Sequence, residues 1–482
     1  MSRREVNRYS ESDNDGDFGM KSCEWSRTTV PALGLAVTIA LSITSSLDAA
    51  DSVTSQVLDI GSRRELFVDK FLIDRLNNAS LKLHEPQLAS PMVESANNLE
   101  YGTIIKDGDL FRLYTRDARG SKFDGDVTEV TRYCESRDGI VWTKPKLGLV
   151  EIDGNKDNNV ILHQPWVCHN FSPFLDSRSG TKPKERFKAL AGVSKGGGLV
   201  AFLSEDGIKW TRLRDTPVIT SNDFAFDSQN VSFWSEVEQL YVCYFRTWNT
   251  PHGNLRSISR TTSQDFVQWS DPVALHPNFP GEHLYTSQTH PYFRAPHIYI
   301  ALPTRFHPGR GESTDILFMS TRGSAPYDRT FREAFIRPGL DLARWGNRSN
   351  YAALNVVPTS PTEISIYTTP FRRFVLRTDG FASVHAGVDS GELLTRPLRF
   401  EGKEFVVNYA TSAGGSLRVE IQEESGIPIP DFSLAESRNL VGDAIGQTVS
   451  WAKGGDVSLL AGKTVRLRFV MLEADLFAIQ FR

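Results

Sequence analysis

The sequence predicts an all-β protein, a five-bladed β-propeller followed by a C-terminal β-sandwich. Three observations carry that prediction. The stretch Ser136-x-Asp138-Gly139-x-x-Trp142 returns as Ser204-x-Asp206-Gly207-x-x-Trp210, and again, with Phe in place of Gly, as Ser263-x-Asp265-Phe266-x-x-Trp269. These copies lie 68 and 59 residues apart, a spacing that marks a repeat architecture. Around each copy, short runs alternate polar and apolar residues with period two, and no amphipathic helix longer than about three turns is found.

Reading outward from the Trp motif gives five units. The first holds "LEYGTII" (99–105) and "DGDLFRLYTRD" (107–117), and the second "NFSPFLD" (170–176) and "RFKALAG" (186–192). The third holds "DSQNVSFW" (227–234) and "QLYVCYFR" (239–246), the fourth "YTSQTHPYF" (285–293) and "HIYIALPTR" (297–305), and the fifth "NYAALNVV" (350–357) and "EISIYTT" (363–369). A small antiparallel sheet cannot bury both faces alone, so five of them point to a ring. The Asp-Gly turn should join two outer strands, with Asp accepting backbone N–H bonds, Gly supplying a positive φ and Trp142, Trp210 and Trp269 packing between units. Residues 65–85 are expected to supply the outer strand that closes the ring. The rhythm stops near residue 388. "SLRVEIQ" (416–422) and its neighbours alternate without any inner-strand unit, which predicts a sandwich over 389–482.

The chain has 482 residues, 40% of them hydrophobic, enough for a substantial core. Net charge is −4 and no Lys/Arg run occurs, so nucleic acid is not an expected partner. Residues 1–50 read as a secretory signal, with Met20 as an alternative start. The apolar run "VPALGLAVTIALSI" (30–43) is shorter than the roughly 20 residues a membrane helix needs. No stable span is expected after cleavage, and the placement implied is secreted or periplasmic. An N-terminal anchor is the alternative. Domain boundaries are therefore 1–50, 51–388 and 389–482. Cys134, Cys168 and Cys243 would remain, leaving at least one free thiol. No zinc-type spacing is present, so no metal and no cofactor is expected.

In a ring of this kind the inner strands start at one mouth. Their starts carry Glu94, Asn97, Asn98 and Glu100, then His169 and Asn170, Asp227 and Gln229, Glu282 and His283, and Arg348 and Asn350. Second strands return to the same mouth, and three end in arginine: Arg116, Arg246 and Arg305. Paired carboxylates are what glycoside hydrolysis needs, one protonated and one ionised. Asp227, Glu282, Glu100 and Glu94 are the candidate catalytic residues. The arginines, with Asn97, His169, Asn170, Gln229, His283, Arg348 and Asn350, are the candidate substrate-binding residues. Each acid has a structural alternative as a cap or an ion-pair partner, and each arginine may serve only to orient an acid. Arginine suits an anionic substrate such as a uronate or sulfated glycan.

"FDSQN", "GEHLYTSQTHPYFRAPHIYIALPTRFHPGRG", "HNFSPFLD" and "RFVLRTDGFASVHAG" resemble a family of secreted bacterial proteins, over roughly residues 60–482. That family is similar to the five-bladed glycoside hydrolases of families 43 and 32, the arabinanases, xylosidases and invertases. The resemblance implies hydrolysis of a poly- or oligosaccharide, with Glu282 as acid and Asp227 as base or transition-state stabiliser. The sequence departs at the first position, where "ANNLEYGT" (96–103) has Glu100, or Glu94 upstream, in place of Asp. A non-catalytic glycan-binding protein and an extracellular structural protein are the alternatives. Oligomeric state is left open.

Overall fold

The computed structural model describes residues 57–89, 100–221 and 225–482. The expected export segment, Glu94, Asn97 and Asn98 lie outside them. Strands dominate, and the helical segments among the described residues are single 3-10 turns such as Pro183–Glu185 and Leu342–Trp345.

Residues 100–377, with one added strand, form six sheets in chain order. The first unit pairs Glu100–Asp107, Leu110–Asp117, Val130–Ser136 and Val160–Leu162. The second pairs Ser172–Leu175, Phe187–Ala191, Val200–Ser204 and Thr211–Arg212, and the third Val231–Ser235, Leu240–Thr247, Ser257–Ser263 and Val273–Ala274. In the fourth unit the strands break, so His290–Tyr292, Ala295–Ala301 and Met319–Thr321 form one sheet and His283–Leu284, Thr304–His307 and Ser313–Ile316 another. The fifth pairs Val357–Pro358, Glu363–Thr368 and Arg372–Arg377 with Gln87–Leu88. Its outer strand therefore comes from before the first unit. The closing strand is 87–88, later than the expected 65–85, because Ile73–Asn77 and Ala79–Leu83 pair with the C-terminal sheet instead.

The Ser-x-Asp turn works by local hydrogen bonding. The Asp138 Oδ1 accepts from the N–H of Ile140 and Val141, and Ser136 Oγ from that of Gly139. Asp206 and Asp265 repeat this. Gly139 and Gly207 sit at φ +74° and +72°, and in the third copy Phe266 adopts φ +67°. Its side chain is fully buried against Phe174 and Tyr241 of neighbouring strands, which offsets the cost of that conformation for a residue with a Cβ. Neighbouring units are tied through these turns. Tyr114 of the first unit donates to Gly207 O at 2.8 Å, and Tyr367 of the fifth donates to Gly139 O. Trp142 packs edge-on against Tyr367, and Trp210 against Tyr114, so both lie between units. Trp269 packs on Phe266. Trp142 is buried, whereas Trp210 and Trp269 are half-buried.

The inner strands meet in a buried glutamine network. Gln229 donates to Gly102 O (3.2 Å) and Thr103 Oγ1 (2.9 Å) of the first unit and to Ser172 Oγ (3.5 Å) of the second. Gln288 of the fourth donates to Gln229 Oε1 (2.7 Å) and to Ala352 O of the fifth (2.6 Å). All five units touch this plug. The buried amides find acceptors where the inner strands converge, and the Gly102 carbonyl also takes the Leu354 N–H at 2.8 Å.

The C-terminal region is one continuous ten-stranded sheet around a large apolar core. Phe405–Glu423 and Val465–Phe481 pair along almost their whole length. The region reaches back further than the expected boundary at 389, taking in Ala382–Ala386 and the strands of 58–83. The three described cysteines are buried and free; burial pushes Cys134 and Cys168 up to about 11, so they are inert thiols.

Candidate functional site

Strand pairing explains why acids and arginines gather at one end. Glu100 starts the first inner strand, and its register partner is Arg116, near the end of the second strand. Their ion pair spans 3.1 Å, and Arg348 of the fifth unit reaches the same Glu100 oxygen at 2.7 Å. Arg116 also binds Glu129 at 2.7 Å. Glu129 in turn accepts from Ser121 Oγ and faces His169 Nδ1 at 3.2 Å. The other His169 nitrogen lies 3.0 Å from the Asp227 carbonyl and 3.6 Å from the Asp124 carboxylate. Asp227 forms an ion pair with Arg246, whose guanidinium lies over the rings of Trp248 and Tyr285. The chain of contacts thus runs Arg348, Glu100, Arg116, Glu129, His169, Asp227, Arg246 across four units.

The backbone is shaped to make this cluster. A bulge between Glu100 and Thr103 puts Tyr101 at φ +48° and sends its hydroxyl to the Asp227 carbonyl at 3.3 Å. Gln288 and Arg348 are also left-handed, at φ +49° and +58°. Such strained residues persist only where surrounding structure holds them, and they gather at binding sites. Tyr101, Tyr285 and Tyr351 line the same region with ring separations of 5.3–6.1 Å. The Tyr351 hydroxyl is buried and has no hydrogen-bond partner among the described residues.

Electrostatics keeps Glu129 ionised. Burial alone would raise Glu129, but the hydrogen bond from His169 and the charges of His169 and Arg116 outweigh it and hold the carboxyl below its ordinary range. Burial lowers Arg246. Burial opposes the charge of Arg348 too, yet Glu100 and the tyrosines raise it overall. Burial, then the neighbouring tyrosines, push the Tyr101 and Tyr351 hydroxyls well above their usual value, so both stay neutral donors.

The expected site residues divide. Glu100, Arg116, His169, Asp227, Arg246 and Arg348 come together. Glu282 does not join them: Arg329 grips both of its oxygens, at 2.9 and 3.0 Å, and Phe279 N–H donates to one of them. With both oxygens taken up by Arg329 and the Phe279 N–H, Glu282 has none turned toward the cluster. Arg305 turns to Asp315, its cross-strand partner, at 2.6 Å. Gln229 belongs to the plug. Asn170 is fully buried and donates to Gly192, Phe226 and Ser228 carbonyls. Asn350, also fully buried, bonds Arg344 and Thr314. His283 accepts from Arg256 N–H through Nδ1 at 3.2 Å. Sequence reasoning missed Asp124 and Glu129, which sit on the loop between the second and third strands of the first unit, and Tyr101, Trp248, Arg256 and Tyr285. Nothing in strand periodicity marks a loop acid that folds back onto the mouth.

Among the acids of this cluster, Asp227 and Asp124 keep access to solvent, with side chains 31% and 43% exposed, while Glu100 and Glu129 are buried. Both line a cavity of about 220 Å³ with Phe123, Val193, Ser194 and Lys195. A larger cavity of about 550 Å³ opens at the opposite ends of the inner strands, lined by Ile104, Phe174, Trp234, Tyr292, Phe293 and Val356 among others. We assign the chemistry to the smaller cavity, where two accessible carboxylates meet beside the ionic cluster.

No known family model matches the chain. A stretch of 137 residues is 24% identical to an uncharacterized protein of Mycobacterium tuberculosis; the match takes in 28% of this chain and 41% of that protein's length. Similar solved structures are glycoside hydrolases of families 43 and 32. A family 43 arabinoxylan arabinofuranohydrolase from Bacillus subtilis is 14% identical, covering 81% of this chain and 97% of its own at a TM-score of 0.41. A family 32 β-fructofuranosidase from Bombyx mori is 10% identical, covering 83% and 94%, also at 0.41. A β-1,2-mannobiose phosphorylase from Listeria innocua is 11% identical, covering 62% and 97%, again at 0.41. None of these likenesses assigns a residue or a substrate in this chain.

Proposed function

We propose that the protein is a five-bladed propeller joined to a β-sandwich, and that its polar mouth binds and hydrolyses a poly- or oligosaccharide. The ring reading is supported by the glutamine plug that touches all five units and by the outer strand that the N-terminal segment lends to the last unit. The function rests on one observation: Asp227 and Asp124, from different units, face one cavity and stay accessible. Hydrolysis of a glycosidic bond needs two carboxyl groups flanking it, one ionised and one able to donate a proton. Asp227 is ion-paired with Arg246. Asp124, with no arginine ion pair among the described residues, is the proton donor in this reading, in place of Glu282. The half-buried rings of Trp248 and Tyr285 offer flat apolar faces to a sugar ring. Export to the periplasm or outside the cell, from the run at 30–43, is part of the same reading.

The test is reducing-end release from a panel of poly- and oligosaccharides. Asp227→Asn and Asp124→Asn should each lower the rate by about 10²–10⁴, the usual worth of a positioned acid or base. Glu282→Gln should leave the rate within about threefold, and a loss comparable to Asp227→Asn would return the acid's role to Glu282. Asp227→Asn and Asp124→Asn both within about threefold would reject the assignment. A second reading, glycan binding without hydrolysis, is favoured by the arginine pairing of Glu100, Glu129 and Asp227. Retained binding with no turnover on any substrate would select it.

A further inference from the structure

Arginines at the mouth are not equivalent. Arg116 carries Glu100 and Glu129, Arg246 carries Asp227, and Arg348 carries Glu100. Arg256 has no ion pair among the described residues. Its guanidinium sits among three rings, 4.7 Å from the centroid of Trp248, 4.9 Å from Tyr285 and 4.8 Å from Phe306. Its Nε is buried without a hydrogen-bond partner. Stacking fixes the plane of the fork, so little conformational freedom is lost when it binds. A partly buried cation without a counter-charge is a cost that an incoming anion removes.

The surroundings donate rather than accept. His283 Nδ1 takes the Arg256 N–H, so a neutral His283 carries its proton on Nε2. Burial and the Arg256 charge hold His283 below its ordinary value, keeping that neutral donor at neutral pH. Arg246, ion-paired with Asp227, shares the Trp248 and Tyr285 rings with Arg256. Two cations therefore share one aromatic platform, and among the described residues Asp227 is the carboxylate ion-paired there.

We infer that Arg256, on the Trp248–Tyr285–Phe306 platform, is a subsite for an anionic substituent of the glycan, a uronate carboxylate or a sulfate ester. This rests on the carbohydrate reading and names its substrate class. The subsite lies beside Asp227 through the shared rings, so the charged sugar sits at or next to the one whose bond is cleaved. Specificity follows because a neutral sugar leaves the Arg256 cation as it is, whereas an oxyanion gains a charge-assisted bond roughly twice as strong as a neutral one.

The experiment is calorimetric binding to the Asp227→Asn protein, which holds substrate without turning it over. The probes are oligogalacturonates, sulfated galactan oligosaccharides and their neutral counterparts. One or both anionic sets should bind at least tenfold more tightly than the neutral set at low salt, and lose that margin as salt rises. Which set does so separates carboxylate from sulfate. Arg256→Gln should remove the margin and leave neutral binding within twofold, and Arg256→Lys should restore only part of it, since a point charge lacks the fork. Because Arg256 also packs, and sulfate raises melting midpoints in general, the second readout is the sulfate-over-chloride rise at matched ionic strength, expected to be larger in the wild type than in Arg256→Gln; an equal rise would count against the subsite. Equal binding of neutral and anionic sugars, unchanged in Arg256→Gln, would overturn the inference and leave the carbohydrate reading standing. No binding of any sugar would instead sink that reading.

Discussion

The two ends of the inner strands differ sharply. At their starts, Glu100, Arg116, Glu129, His169, Asp227, Arg246 and Arg348 form a continuous chain of ion pairs and hydrogen bonds, the His169–Asp227 link running through the Asp227 carbonyl. At their far ends the same strands present Ile104, Phe174, Phe233, Trp234, Tyr292 and Val356 around a cavity more than twice the volume. Between them lies the glutamine plug. Burying charge is costly even when paired, and an apolar end of the same shape would hold the ring together as well or better. That the costly arrangement occupies one end and not the other indicates that this end is kept for chemistry. It also teaches that cavity size alone misleads: the roomier cavity is lined by a single carboxylate, Glu236, whereas the smaller one brings two together, Asp124 and Asp227.

The comparison can be broken or sharpened by mutation. The largest stability effect should come from Glu129→Gln, which leaves Arg116 and His169 facing a neutral amide; the loss expected is about 3 kcal/mol, measured by denaturant unfolding. The same residue predicts a pH dependence. Its folded value lies below the ordinary 4.5, so its contribution is present above about pH 4.5 and is lost as pH falls toward the folded value. Glu129→Gln should therefore flatten that part of the stability–pH curve, and an unchanged acid limb would show that Arg116 and His169 do not stabilise the carboxylate. Gln229→Ala should come next, at about 2 kcal/mol, because the buried hydrogen bonds to Thr103 Oγ1 and from Gln288 are lost at the point where the units meet. An effect under about 0.5 kcal/mol would mean the plug does not hold the ring. The smallest belongs to the apolar end: Phe293, 43% exposed, should tolerate Ser within about 0.5 kcal/mol and without change in glycan binding. A loss of binding there would move the site to the opposite cavity.

Much of the repeat was legible because its signals are local. The Asp138, Asp206 and Asp265 turns each close within three or four residues, and the apolar run "LYVCYFR" is a strand buried on both faces, with Tyr241, Cys243 and Phe245 in one core and Val242 and Tyr244 in the next. The ends of second strands were legible in part, since register carries Arg116 to Glu100 and Asp227's unit carries Arg246. Register alone fails for Arg305, whose cross-strand neighbour happens to be Asp315.

The sequence by itself determined the all-β character, the rhythm of the units, the turn chemistry and a short list of acids and arginines at strand ends. It determined these because period-two alternation, Asx turns and β-branched enrichment act over a few residues. Only the tertiary structure decided which acid meets which cation. Glu129 reaches His169 across 40 residues, Arg348 reaches Glu100 across 248, and Arg329 rather than solvent claims Glu282 across 47. It also decided that 87–88 closes the last unit and that 58–83 and 382–386 join the C-terminal sheet. Such pairings are long-range Coulombic and hydrogen-bond choices among many near-equivalent partners. They are settled by which backbone ends the packed sheets bring within about 4 Å, a distance at which a charge pair outweighs its alternatives only once water is excluded.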